Sequence, residues 1–380
     1  MARRRADVEW LRAVGMLLVF ALHSAEPFNP WDTWHIVSPA RSKWLGELVF
    51  FLAPWIMPLF MLLAGEGAWH ALAKRSGRAY LRERLVRIGL PLVLGILLLV
   101  PPQVYLERRL TGAFSGSLLA FYPHFFEGTY PQGNFSWHHL WFLLFLLVFA
   151  AVTLPLFEWL RTVTGRRALG RLAAPCERAA GLAWLVLPAA ALRAAVPATA
   201  PGVVEIAYDW SNRILLLPAF VLGFAIGAEP ALQRSLDRHW RTALACAALL
   251  SSSVLAWAWP GHVLDRLPPA RSGWALLLWS AYGAAAWCWL VAIVGGARRH
   301  LTRGSAVLSR ASEMVYPFYV LHHPIVVAIA YAVVRRGVNG VPGAFATVAL
   351  VAFAATIALC ALVMAFDPLR VLFGLRRQRR

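Results

Sequence analysis

Arg12 and His23 stand eleven residues apart in the first apolar run of the chain, RAVGMLLVFALH. On an α-helix eleven steps turn through about 1100° and rise about 16 Å. The two side chains therefore share a face, one near the entry of a span and the other about half a bilayer deeper. Polar groups at that depth are costly unless they face protein or a water-filled cavity, so they mark function by default. The competing reading is an imidazole bonded to a neighbouring helix purely to fix packing. It leaves unexplained the other polar groups at matching depth. Glu26 follows His23 by three residues, close enough on a continuing helix for the side chains to touch. A carboxylate on one ring nitrogen fixes the tautomer and raises the basicity of the other, which suits a general base acting on a hydroxyl.

Two further histidine pairs fall in apolar runs. His138 and His139 open the segment HHLWFLLFL and point about 100° apart on a helix, so one faces a core site and the other is expected at the interface. His322 and His323 lie in YPFYVLHHP, near the middle of another run. His23, His139 and one of that pair, taken as His322, are expected to meet at similar height. Pro324 has no N–H and must leave the carbonyl of Val320 without its helical partner, which offers an acceptor and a kink.

The densest basic segment reads HALAKRSGRAYLRERLVRIGLPL and holds Lys74, Arg75, Arg78, Arg82, Arg84 and Arg87. Arg84 and Arg87 are i,i+3 neighbours at the start of an apolar run, where an unpaired guanidinium is costly and a bound phosphate is a natural partner. Lys74, Arg75 and Arg78 read more simply as an orientation signal and as lipid head-group contacts. Glu66, in LLAGEGAW, is a buried carboxylate expected to pair with Arg12 or Arg87. There is no GxSxG, no GxxxxGK[ST] and no HExxH, so a serine-hydrolase elbow, a nucleotide P-loop and a zincin site are not indicated, and no metal is expected.

The elements that must position these groups are transmembrane helices. The 380 residues are 60% apolar and 14% charged, with 18 Trp, whereas soluble domains average about 25% charged. A net charge of +19 raises nucleic acid as a partner, but the basic residues fall in short clusters between apolar runs, so the lipid bilayer is the partner they indicate. Ten spans are expected, over 8–27, 44–70, 86–106, 138–160, 180–197, 212–229, 241–260, 273–297, 312–335 and 342–366. With the N-terminus inside, 26 of the 37 Lys and Arg fall on the cytoplasmic side and nine outside, which supports ten spans with both termini cytoplasmic. The fold class is thus an all-α polytopic bundle. Residues 1–370 form one transmembrane domain, and 371–380 form a basic cytoplasmic tail. The start of the chain reads as an uncleaved first span, its apolar run being too long for a signal peptide. The outer segment from about 107 to 137, rich in aromatics and Gly, suits an interfacial loop or a cover over a site. The four cysteines are scattered, with no metal spacing.

Taken together these residues resemble the membrane-bound acyltransferase-3 family. The matching features are Arg12 and His23 at R-x10-H spacing, RxxR at Arg84 and Arg87, the FMLLAGEGAW segment, HLWFL at 139–143 and YPFYVLHHP at 316–324, in the family's order along nearly the whole chain. The last two look closest to the glucan-modifying branch. Glu66 departs from the pattern, since many members carry no charge there. The resemblance leads to the expectation of the stand-alone form of the family, with no hydrolase-like domain after the tenth span.

The resemblance implies ten helices, a bacterial inner-membrane location and cytoplasmic acyl-CoA, acetyl or succinyl, as donor. It implies His23 as the catalytic histidine and Arg12, Arg84 and Arg87 as donor-side positioning groups; Glu26, His139 and His322 are added from depth and spacing. The acceptor would be a hydroxyl of an extracytoplasmic or lipid-linked glycan. His23 would act as general base or as a nucleophile that takes the acyl group briefly. The rival class is a transporter or flippase without covalent chemistry, against which stands the lack of any inverted repeat or matched pair of broken helices.

Overall fold

The structure, a computed structural model, describes residues 5–31, 34–196, 213–258, 272–338 and 340–377. Arg3, Arg4, Arg266, Arg271, Arg379 and Arg380, which entered the charge count, lie outside them. Among the described residues there is no β-strand. The chain is an all-α, multi-pass membrane protein.

Among the described residues six helices are long and apolar enough to cross a bilayer: α1 (Ala6–Ala25, continued by a 3-10 turn Glu26–Phe28), α2 (Lys43–Leu72), α3 (Gly77–Thr111), α10 (Gly273–His300), α11 (Ala306–Arg335) and α12 (Val341–Ala365). Three bent pairs lie between them. They are α4 with α5 (His138–Val152 and Leu154–Leu160, 50°), α6 with α7 (Val163–Glu177 and Gly181–Ala195, 108°) and α8 with α9 (Ile214–Ala228 and Pro230–Trp257, 108°). Counting each pair as one span gives nine. The expected ten count α8 and α9 as separate spans, over 212–229 and 241–260. A short α13 (Asp367–Leu372) follows.

Local chemistry explains the boundaries. Pro27, two residues past the end of α1, turns the chain into the 3-10 segment. The Ser305 side chain caps α11 by accepting from the Leu308 N–H, and Gly337, at φ +62°, follows its last turn. The basic segment joining α2 to α3 is helical from Gly77 onward rather than a loop, and a π-turn over Leu85–Gly89 interrupts α3 at Arg87. Such turns recur at functional sites because they break regular side-chain phasing.

Without a hydrophobic drive between lipid-solvated helices, close approach depends on small residues. A Cβ added at Gly65 of α2 would strike the carbonyl of Phe220 in α8, and one at Gly223 would strike the carbonyl of Leu62. These two glycines let the backbones touch. On its other faces α2 meets α1, which packs along α11, and α11 lies against α12 and the far end of α3. The candidate site forms where α1, α3, α4 and α11 converge.

Candidate active site

His23 of α1 and His322 of α11 are joined directly, with 2.9 Å between Nδ1 of the first and Nε2 of the second. The other nitrogen of His322, Nδ1, lies 2.7 Å from the Tyr319 carbonyl and 3.1 Å from that of Phe318. A carbonyl can only accept, so Nδ1 of His322 carries the proton and Nε2 is left as acceptor. His23 must then donate from Nδ1, which leaves its Nε2 as a lone pair. The tautomers follow from the partners, in the manner of a serine-protease histidine held by its carboxylate. His322 is completely buried, whereas His23 retains solvent-accessible surface.

Four more imidazoles surround this pair. His139, at the start of α4, bonds through Nε2 to the Val320 carbonyl at 3.1 Å, the acceptor freed by Pro324. Its own carbonyl accepts from the Tyr319 hydroxyl, and its ring stacks on that of His323 with centroids 4.6 Å apart and 7° between planes. The Gln103 amide donates to the Leu99 carbonyl at 2.7 Å, so its oxygen is free to accept from Nδ1 of His323 at 2.6 Å. His35 follows the 3-10 turn and bonds through Nδ1 to Glu107 at 3.1 Å. Tyr130 donates to the same carboxylate at 3.1 Å. His138 packs over His35 with centroids 4.1 Å apart. It holds an unusual φ of +41° and is fixed by Ser136, whose hydroxyl accepts from its backbone N–H at 3.0 Å. Such a conformation costs about 1–3 kcal/mol and persists only where the surroundings enforce it. Nε2 of His138 and Nδ1 of His139 are buried without a partner. Among the described residues no group of three or more His, Cys, Asp or Glu side chains could hold a metal ion.

On the basic side lies a cavity of about 480 Å³, a size suited to a small-molecule site. Arg12, Lys74, Arg75, Arg84, Arg87 and Arg376 line one end, and Val19, Phe142 and Tyr319 line the other. Val19 is one helical turn before His23, and Tyr319 is one turn before His322 and His323, so the cavity stops just short of the imidazole cluster. Arg12 makes no hydrogen bond or ion pair among the described residues. Arg84 lies over the Tyr80 ring at 5.1 Å. Arg87 donates from Nε to the Gly374 carbonyl at 2.9 Å and meets Glu83 at 3.4 Å. Arg376 also reaches Glu83, at 3.4 Å. The cations of this wall outnumber its one carboxylate, an arrangement that suits a polyanion.

The structure therefore brings His23, His139 and His322 together and places Arg12, Arg84 and Arg87 on one cavity. It separates other expected partners. Glu26 leaves the helix in the 3-10 turn and accepts from the Asn29 amide at 3.1 Å, while Nδ1 of His23 is taken by His322. Glu66 pairs with Arg5 at 2.7 Å rather than with Arg12 or Arg87. Hydrogen bonding to Asp7, with the nearby charges of Glu66 and Asp7, raises the Arg5 guanidinium further above its usual range. His138, expected at the interface, is 1% exposed. The chain beyond residue 371 is not wholly separate from the domain, because Gly374 and Arg376 form part of the cavity wall.

Sequence reasoning missed His35, Gln103, Glu107 and Tyr130. Gln103 was a lone amide near the end of an apolar run, and Glu107 was a carboxylate four positions on, one helical turn away. That spacing was the available signal. His35 and Tyr130 come from loops, which carry no periodicity.

The acyltransferase-3 family profile, described as an acyltransferase domain, matches residues 5–365. The chain belongs to this family. It is a membrane acyltransferase, which decides against the transporter reading. Glucans biosynthesis protein C of Escherichia coli K12 is 22% identical over 335 residues, covering 85% of this chain and 82% of its own. The protein of the same name from Salmonella schwarzengrund is 23% identical over 339 residues, covering 85% and 83%. No solved structure matches the chain.

Proposed function

We propose that this acyltransferase moves an acyl group, acetyl or succinyl, from cytoplasmic acyl-CoA to a hydroxyl of an extracytoplasmic or lipid-linked glucan-type glycan at the bacterial inner membrane. The observation that carries the reading is the alignment of the cation-lined cavity with the His23–His322 pair one turn beyond its apolar end. The positive-inside bias sets the basic end in the cytoplasm. Arg12, Arg84 and Arg87 hold the CoA phosphates, and the pantetheine arm runs along the apolar wall past Val19 toward Nε2 of His23. That nitrogen either takes the proton of the acceptor hydroxyl or receives the acyl group itself. The unpaired Nδ1 of His139, a lone pair because Nε2 donates to the Val320 carbonyl, is a group that can take part in proton traffic at the reacting centre. The shared name of the relatives supports a glucan as acceptor.

The test is acylation of envelope glycans by membranes carrying wild-type or His23→Ala protein, read by mass spectrometry, with CoA binding to the purified protein measured in parallel. The reading requires that acylation be lost in the variant and that wild-type protein bind CoA. Unchanged acylation in the variant overturns it.

A further inference from the structure

We infer that His35, held by Glu107, is the base that takes the proton of the acceptor hydroxyl, and that His23 is thereby the acyl carrier rather than that base. The inference rests on the function proposed above and divides its chemistry between two histidines.

The pair has the parts of a base. Nδ1 of His35 donates to Glu107 at 3.1 Å, so Nε2 is a lone pair, and it has no hydrogen-bond partner among the described residues. The carboxylate is held on three sides, by His35, by Tyr130 at 3.1 Å and by Arg108 at 3.3 Å. Arg108 in turn ties down the loop that carries Tyr130, donating to the carbonyls of Pro131 and Gly133 at 2.8 Å each and to the Asn134 side chain at 2.9 Å. The orientation of His35 is therefore fixed by α3 and by the 112–137 loop together. A second, independent observation points to a ligand here. Nε2 of His138 is buried with no partner, on a ring packed against that of His35 with centroids 4.1 Å apart.

The position is also right. His323 lies between the two candidate histidines, its centroid 4.7 Å from His23 and 5.5 Å from His35. The basic cavity is lined by the start of α3, at Glu83, Arg84, Arg87 and Ile88, whereas Glu107, Arg108 and Tyr130 belong to the opposite end of α3 and the loop beyond it. One histidine faces the donor and the other faces the acceptor.

Nε2 of His23 attacks the thioester carbonyl, a C–N bond forms, the C–S bond breaks, and CoA leaves as its thiolate. The acceptor hydroxyl then gives its proton to Nε2 of His35 while its oxygen forms the ester C–O bond. The C–N bond breaks, and its electron pair returns to Nε2 of His23. His35 touches the acceptor and is a catalytic residue; Glu107 acts through His35 and is a positioning residue.

The experiment compares two rates in purified protein: exchange of isotopically labelled CoA into acetyl- or succinyl-CoA, and transfer to a soluble glucose oligosaccharide. Glu107→Gln and His35→Asn are expected to lower transfer by about 100-fold or more, with exchange within about two-fold of wild type. Glu107→Gln should act on kcat rather than on the oligosaccharide KM, and Glu107→Asp should restore part of the transfer. Where Glu107→Gln does not fold, Tyr130→Phe carries the test, with a smaller loss of transfer and intact exchange. Transfer at the wild-type rate in these folded variants overturns the inference, as does loss of exchange in proportion to transfer. Wild-type protein that transfers but exchanges no CoA overturns this inference alone. Wild-type protein that neither binds CoA nor transfers overturns the function beneath it.

Discussion

Nε2 of His139 bonds to the carbonyl of Val320 at 3.1 Å, an oxygen that an uninterrupted helix would have used for its own ladder. Pro324, four residues on, supplies no N–H, so α11 gives up one internal bond and gains a fixed contact to α4. The imidazole cluster is assembled around this defect.

Pro324→Ala should restore the ladder bond and compete with His139 for Val320. Interior proline costs a helix about 3 kcal/mol, so the variant is expected to melt no lower than wild type while transfer falls. Tm and transfer rate measured on one preparation check this. A parallel fall in both would mean that Pro324 only shapes packing.

His322→Ala removes the acceptor that fixes the tautomer of His23. The expected result is a drop in kcat of about 100-fold or more with little change in the acyl-CoA KM, because His322 does not line the cation-lined cavity proposed to hold the donor. Steady-state kinetics at varied acyl-CoA separate the two constants.

Arg12→Ala and Arg84→Ala each remove a cation from the cavity wall. A hydrogen bond to a charged group contributes about 1.5–3 kcal/mol, so each variant should bind CoA about 10- to 100-fold more weakly. Titration with CoA and with dephospho-CoA, which lacks one phosphate, shows which arginine meets that group.

Gly374 sits at φ +69°, and a Cβ there would strike the carbonyl of Arg87. Gly374→Ala should therefore lift the 374–376 segment from the cavity, free Arg87 from its carbonyl partner and change the acyl-CoA KM more than kcat. Equal kinetic constants in the variant and wild type would show that this wall does not contact the donor.

Glu66→Gln leaves Arg5 paired with Asp7 alone. Glu66 is 3% exposed, so losing its charge partnership should cost about 1–3 kcal/mol of stability while transfer per folded molecule persists. Thermal unfolding beside a rate normalised to folded protein tests it.

Much of this was legible in the sequence for physical reasons. Helical rotation alone puts Arg12 and His23 on one face, and missing-donor chemistry at Pro324 identifies the Val320 acceptor. Hydrophobic length finds most spans, but it does not reveal that α8 and α9 meet at 108° around Glu229 and Pro230. Nor could spacing choose between Glu26 and His322 as the partner of His23. The local candidate was three residues away, and the observed one is on a helix 299 positions further along. His35 and Tyr130 were invisible because loops obey no period, and His138 was misplaced because its positive φ removes it from the helical geometry assumed for it.

The distance along the chain between His23 and His322 bears on biosynthesis. Polypeptides enter the membrane from the N-terminus as the ribosome elongates them, so α1 is in place long before α11 exists. Until that late helix arrives, the first histidine has no tautomer partner and the cation-lined chamber lacks the side formed by Tyr316 and Tyr319. On the function proposed above, a half-made protein can thus neither capture a thioester nor waste one by hydrolysis, and competence is gained only near the end of translation.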